Sequence, residues 1–156
     1  MNLEKLRRKY LDNGFLLANA SAKICQDIIL NKISKSKMNK NVTIKGGVVM
    51  YSLSNDKRRA TRGLDLDFIK YSLADESIRT FIDTLNLVND GIKVYVDGDI
   101  QELHHQDYKG KRVNINLKDE NNFSVSAKLD IGVYKNFSVK QDEYCFNLEA
   151  IDESVT

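Results

Sequence analysis

A period of two near the end of the chain constrains the fold more than any other feature. Phe123, Val125, Ala127, Leu129, Ile131 and Val133 alternate with Ser124, Ser126, Lys128, Asp130 and Gly132. Successive side chains of a strand point to opposite faces, so this segment has one buried face and one wet face. A helix would scatter the same apolar residues around its circumference. Residues 112–117 alternate too, with Val113, Ile115 and Leu117 on one side. Asp119, Glu120, Asn121 and Asn122 between the two segments are turn formers. The spacing predicts a hairpin of 112–117 with 123–134. Ile92 to Val96 predicts a further strand, and Val42-Thr43-Ile44 a short one.

Other segments carry the helical period. Residues 3–12 predict a short charged helix, broken by Gly14. From Phe15 to Ile33 the apolar positions Ile24, Cys25, Ile28, Ile29 and Ile33 form one stripe. Residues 34–41 are polar and basic and predict a loop. Asp75 is placed to cap a helix of about Glu76 to Val88, whose apolar face is Ile78, Phe81, Ile82 and Leu85. Asn89-Asp90-Gly91 ends it. Helices together with an antiparallel-leaning, mixed sheet predict one α+β domain over residues 1–156, with helices packed on one face of the sheet.

Between these segments lies Leu64-Asp65-Leu66-Asp67-Phe68, in a strand predicted over Leu64 to Ile69. Period two sends Leu64, Leu66 and Phe68 to the core. Asp65 and Asp67 then share the open face, with Cβ atoms roughly 6.5–7 Å apart. The same argument puts Asp130 on the open face of the long strand. If the two strands are neighbours, three carboxylates converge, and they need a counter-charge to stay ionised together. A divalent cation such as Mg²⁺ or Mn²⁺ supplies one. The plainer alternative is a solvated strand face. Upstream, Gly46-Gly47 follows a strand and precedes a short apolar run, where bare backbone N–H groups can meet a phosphate. The alternative there is a tight turn. The basic run Lys57, Arg58, Arg59 and Arg62 lies just ahead of the carboxylates, as a phosphate contact or a solvated loop. Lys32, Lys35, Lys37 and Lys40 are candidates for a basic surface.

Several function classes find no support. The net charge of +2, with 29% charged residues, gives no global pull toward nucleic acid. No apolar run reaches the roughly 18–20 residues of a membrane span, and the first residues lack the apolar stretch of a signal peptide. Cys25 and Cys145 make no disulfide framework, and a reducing cytoplasm is the default. His104 and His105 are adjacent, so on a strand they diverge, and the spacing of a zinc site is missing. They read as surface or turn residues, and Tyr108-Lys109-Gly110-Lys111 as a turn feeding the hairpin.

Lys45-Gly46-Gly47, Arg59-Ala60-Thr61, Asp65-Leu66-Asp67-Phe68 and Lys128-Leu129-Asp130-Ile131-Gly132, taken in order, resemble the AbiEii-type nucleotidyltransferase toxins. These belong to the polymerase-β-like nucleotidyltransferase superfamily. The resemblance runs from about Phe15 to Phe146. It implies the polymerase-β palm-like nucleotidyltransferase fold. It also implies a metal-dependent enzyme that moves a nucleotide from an NTP to an RNA acceptor such as tRNA, as the toxin of a toxin–antitoxin pair. Gly46 and Gly47, with Lys57 and Arg59, match the nucleotide-binding role. Asp65, Asp67 and Asp130 match the metal-binding and catalytic acids. The implied partners are an NTP, an RNA and a cognate antitoxin protein, in the cytoplasm. Relatives carry an acid where Gly63 stands, so the acidic pair is either Asp65/Asp67 or a register of Gly63/Asp65. Relatives also continue into a helical region with a Lys-Asp type motif, and no such motif occurs before Thr156. A truncated or degenerate, non-catalytic module of the same fold, binding nucleotide, RNA or an antitoxin, is the alternative.

Overall fold

The computed structural model describes residues 2–45, 63–105, 108–133, 146–148 and 153–155. Among them are α1 (Leu3–Asp12), α2 (Leu17–Lys35), β1 (Val42–Lys45), β2 (Gly63–Phe68), α3 (Asp75–Leu85), β3 (Lys93–Val96), β4 (Gln101–His105), β5 (Tyr108–Lys118), β6 (Ser124–Val133), β7 (Phe146–Leu148) and β8 (Glu153–Val155). The main sheet runs β1-β2-β6-β5-β3, and β4 also pairs with β5. β7 and β8 form a separate antiparallel pair. The predicted α+β class, with its mixed sheet, is what the chain adopts.

The hairpin is β5–β6, antiparallel from Lys118↔Ser124 to Lys111↔Ile131. β2 joins β6 on its other side in parallel. A parallel neighbour needs a crossover, and the chain between β2 and β6 supplies it through α3, β3, β4 and β5. Period two then places the core. Leu64, Leu66 and Phe68 of β2, Val113, Ile115 and Leu117 of β5, and Val125, Leu129 and Ile131 of β6 are all buried. The helices cover that face. Phe68 meets Phe81 of α3 edge to face, with ring centroids 5.1 Å apart. Ile78, Phe81, Ile82 and Leu85 are buried, as the helical spacing predicts.

Val133, expected on the core face, is 39% exposed at the end of β6, and three further details differ from the sequence reading. α3 is preceded by Ala74 in extended conformation, and Asp75 lies in its first turn rather than at the cap. There its charge meets the Lys111 ammonium at 2.7 Å. Tyr108 to Lys111 is not a turn. It extends β5, which pairs with β4 from His105↔Tyr108 to Gln101↔Arg112, so His104 and His105 are strand residues. The pairing of a neighbouring strand, invisible to local composition, overrides the turn-like glycine.

The third is α2. Its sequence shows one apolar stripe, yet Lys23, Gln26, Asp27, Asn31 and Lys32 are buried along with the isoleucines. The helix is enclosed on more than its sheet side, so its polar residues find internal partners. Lys23 Nζ donates to Asp27 Oδ1 at 2.6 Å, and Tyr10 Oη of α1 donates to Asp27 Oδ2 at 3.0 Å. Lys32, expected on a basic surface, is 0% exposed. Its ammonium donates to Asp90 Oδ1 and to the carbonyls of Val88 and Ile92, fixing the turn between α3 and β3. Lys35, Lys37 and Lys40 are exposed.

Candidate functional site

The open face of the sheet is built by the same alternation that builds the core. In β2 the even-numbered side chains are buried and Gly63, Asp65 and Asp67 lie half-exposed opposite them. Register then decides which residues meet. Asp65 pairs with Asp130 across the parallel β2–β6 ladder. Asp130 pairs with Arg112 across β6–β5, and Arg112 with Gln101 across β5–β4. On the other side Asp65 pairs with Lys45 of β1. One row of the open face is therefore Asp65, Asp130, Arg112 and Gln101, each a strand apart, at about 4.7–4.9 Å spacing.

Like charges opposite one another in a sheet are destabilising, and the row answers with a cation. Arg112 Nε donates to Asp130 Oδ1 at 2.8 Å, and Nη2 donates to Oδ2 at 3.0 Å. This is the bidentate fork that guanidinium and carboxylate geometry favour. The pair is neither buried nor fully wet, with side-chain exposures of 35% and 25%. The hydrogen bonds to Asp130 hold the guanidinium above its usual pKa, and Asp65 adds to this through its charge. Asp65 is thus close enough to Arg112 to be felt by it.

A groove of about 500 Å³ opens over this row. Its lining includes Asp65, Asp130, Arg112, Asn114, Lys128 and Ser126. Lys128 lies in the next row, between Asn114 of β5 and Gly63 of β2. The absent side chain of Gly63 leaves that end of the groove open. A Cβ built there would stand 3.3 Å from the Lys128 carbonyl oxygen. An acid at 63 would crowd β6, and it would lie one row away from Asp130. Gly63, Asp65 and Asp67 share this face, and Asp65 is the one in register with Asp130.

The predicted acids therefore stand together on one face: Asp65 beside Asp130, and Asp67 one step along, in register with Gly132. Among the described residues, no group of three or more His, Cys, Asp or Glu side chains is placed to hold a metal ion. The oxygens of Asp65 and Asp67 have the hard-donor chemistry that Mg²⁺ or Mn²⁺ takes. Those of Asp130 both accept from Arg112. Gly46, Gly47, Lys57 and Arg59 lie outside the described residues. Arg112 had no motif to announce it, and Lys128 opened the Lys128–Gly132 motif without a role of its own. The one signal in the sequence was the alternation that puts both on the wet side of the hairpin.

Burial pushes the Cys25 thiol up to about 12, which leaves it no role as a nucleophile. Among the described residues no helix is long and apolar enough to cross a membrane. Comparison of the chain with protein-family models and with curated proteins gave no match.

Proposed function

We propose that this protein is a metal-dependent nucleotidyltransferase of the polymerase-β-like kind, moving a nucleotide from an NTP to an RNA acceptor such as tRNA. On the sequence resemblance, its setting is a toxin–antitoxin pair. The observation that carries the reading is Asp65 in register with Asp130 on adjacent parallel strands, with Asp67 on the same open face.

Asp65 and Asp67 are the residues that would hold the cation. When bound, such an ion neutralises the charge that develops on the phosphates during an in-line displacement. The rest is the work of the chain. Leu64, Leu66 and Phe68, at 2%, 0% and 0% exposure, pin β2 from below, so the two carboxylates stand on a rigid strand. Arg112 offsets one of the two facing charges in the row. Gly46 and Gly47 would place backbone N–H groups against the triphosphate, with Lys57 and Arg59 offsetting its charge.

Incubation with each labelled NTP, Mg²⁺ or Mn²⁺ and total tRNA tests this, beside an Asp65→Ala/Asp67→Ala double variant. Label should enter RNA with the unaltered chain and fall to background with the double variant. Transfer by neither chain, with any NTP, sinks the reading. The bidentate pairing of Asp130 with Arg112 favours a second one, a non-catalytic module that binds nucleotide, RNA or an antitoxin. Binding of NTP without transfer would select it.

A further inference from the structure

Asp130 was expected to be the third acid around a cation. Its surroundings point elsewhere. Both of its oxygens accept from Arg112, which takes one lone-pair direction on each and fixes the plane of the carboxylate. We propose that Asp130 is a positioning residue, clamping Arg112 so that the guanidinium's remaining N–H groups bind the phosphates of a nucleotide in the open-face groove. The choice of a nucleotide as the ligand rests on the nucleotide-transfer reading.

The geometry carries the rest. A guanidinium has five N–H donors in a rigid plane. Nε and one Nη2 hydrogen go to Asp130, so the other Nη2 hydrogen and both on Nη1 project from the far edge. A clamped arginine keeps its charge and loses its freedom to swing. It therefore presents a fixed donor edge, which is how arginine recognises phosphate. Arg112 lines the groove together with Lys128, Asn114 and Ser126. These add a second cation and neutral donors on the Arg112 side. Asp65 occupies the opposite side of Asp130 in the row. Asp65, Asp97 and Asp130 line the same groove, so Arg112 and Lys128 are its cations among three carboxylates, and the fixed donor edge rather than net charge is what favours a phosphate there. The groove's volume falls within the roughly 300–1,000 Å³ of small-molecule sites.

The test is a sign. Removing a carboxylate beside a polyanion site normally strengthens anion binding. Here Asp130→Asn should weaken it, because the clamp is lost. Tripolyphosphate binding by calorimetry in EDTA should fall about tenfold in both Asp130→Asn and Arg112→Lys, the latter with its charge unchanged. Asp65→Asn should bind tripolyphosphate as well as the unaltered chain or better. In parallel, Mn²⁺ binding followed by electron paramagnetic resonance should survive Asp130→Asn and be lost in Asp65→Asn. Thermal melts of each variant confirm that the fold is kept. Tighter tripolyphosphate binding by Asp130→Asn overturns the proposal. So does loss of Mn²⁺ by that variant, or a failure of the unaltered chain to bind tripolyphosphate. Arg112-dependent binding of a single-stranded RNA oligonucleotide, with none of tripolyphosphate, overturns the nucleotide assignment. If no chain binds Mn²⁺ but the tripolyphosphate pattern holds, the metal-dependent transfer reading fails and the clamp stands.

Discussion

Lys32 and Arg112 each hold a carboxylate, and they do different things. Lys32 is fully buried, and its ammonium has three hydrogens and three acceptors: Asp90 Oδ1 and the carbonyls of Val88 and Ile92. Nothing is left over. Arg112 is 35% exposed in its side chain and donates to Asp130 through two nitrogens, with further N–H groups toward a groove. A cation whose donors are all satisfied inside the protein is a staple. One with donors to spare at a concave surface can take a ligand. The contrast separates structural charge from functional charge without reference to any family.

The largest effect should come from breaking the staple. Lys32→Ala leaves the Asp90 carboxylate and two carbonyls without their donor, and should cost about 3–5 kcal/mol. A chemical denaturation curve measures it. A loss under about 1 kcal/mol, the range of exposed pairs, would erase the contrast with Arg112.

An intermediate effect should come from Asp119, a buried carboxylate whose hydrogen-bond partners among the described residues are backbone N–H groups. It accepts from the backbone N–H groups of Leu3, Asn121 and Phe123, tying the start of α1 to the β5–β6 turn. Burial alone pushes its pKa up, but the N–H groups of Leu3, Phe123 and Asn121 more than reverse this, and the net shift is down. A depressed folded-state pKa gives stability that is fully present above the ordinary Asp value of about 4 and is lost as pH falls through the depressed one. Asp119→Ala should cost about 1–3 kcal/mol at neutral pH. It should also flatten the acid limb of the stability curve. An unchanged acid limb would mean that the carboxylate is not ionised where the fold needs it.

The smallest effect on stability belongs to Arg112. As half of a partly exposed pair, it should contribute about 0–1 kcal/mol, weakened by salt. Arg112→Lys should leave the melting temperature nearly unchanged while tripolyphosphate binding drops. A melting loss as large as that of Lys32→Ala would recast Arg112 as a second staple.

How much was legible beforehand follows from what each feature depends on. The open-face position of Asp65, Asp67 and Asp130 was readable because alternation is a property of one strand. The β5–β6 hairpin was readable because both strands and their turn are contiguous. Lys32 was misplaced because a lysine in a helix gives no sign of whether another element will cover it. Tyr108 to Lys111 was misread because Gly110 looks like a turn until β4 pairs beside it.

Sequence alone therefore determined the faces: which side chains enter the core and which stay on the wet side, through backbone geometry that acts within a few residues. Tertiary structure decided the neighbours. That Asp130 lies beside Asp65, and that Arg112 rather than a solvent ion meets its charge, depends on strand register. Register is fixed by pairing between segments dozens of residues apart, and no local pattern encodes it.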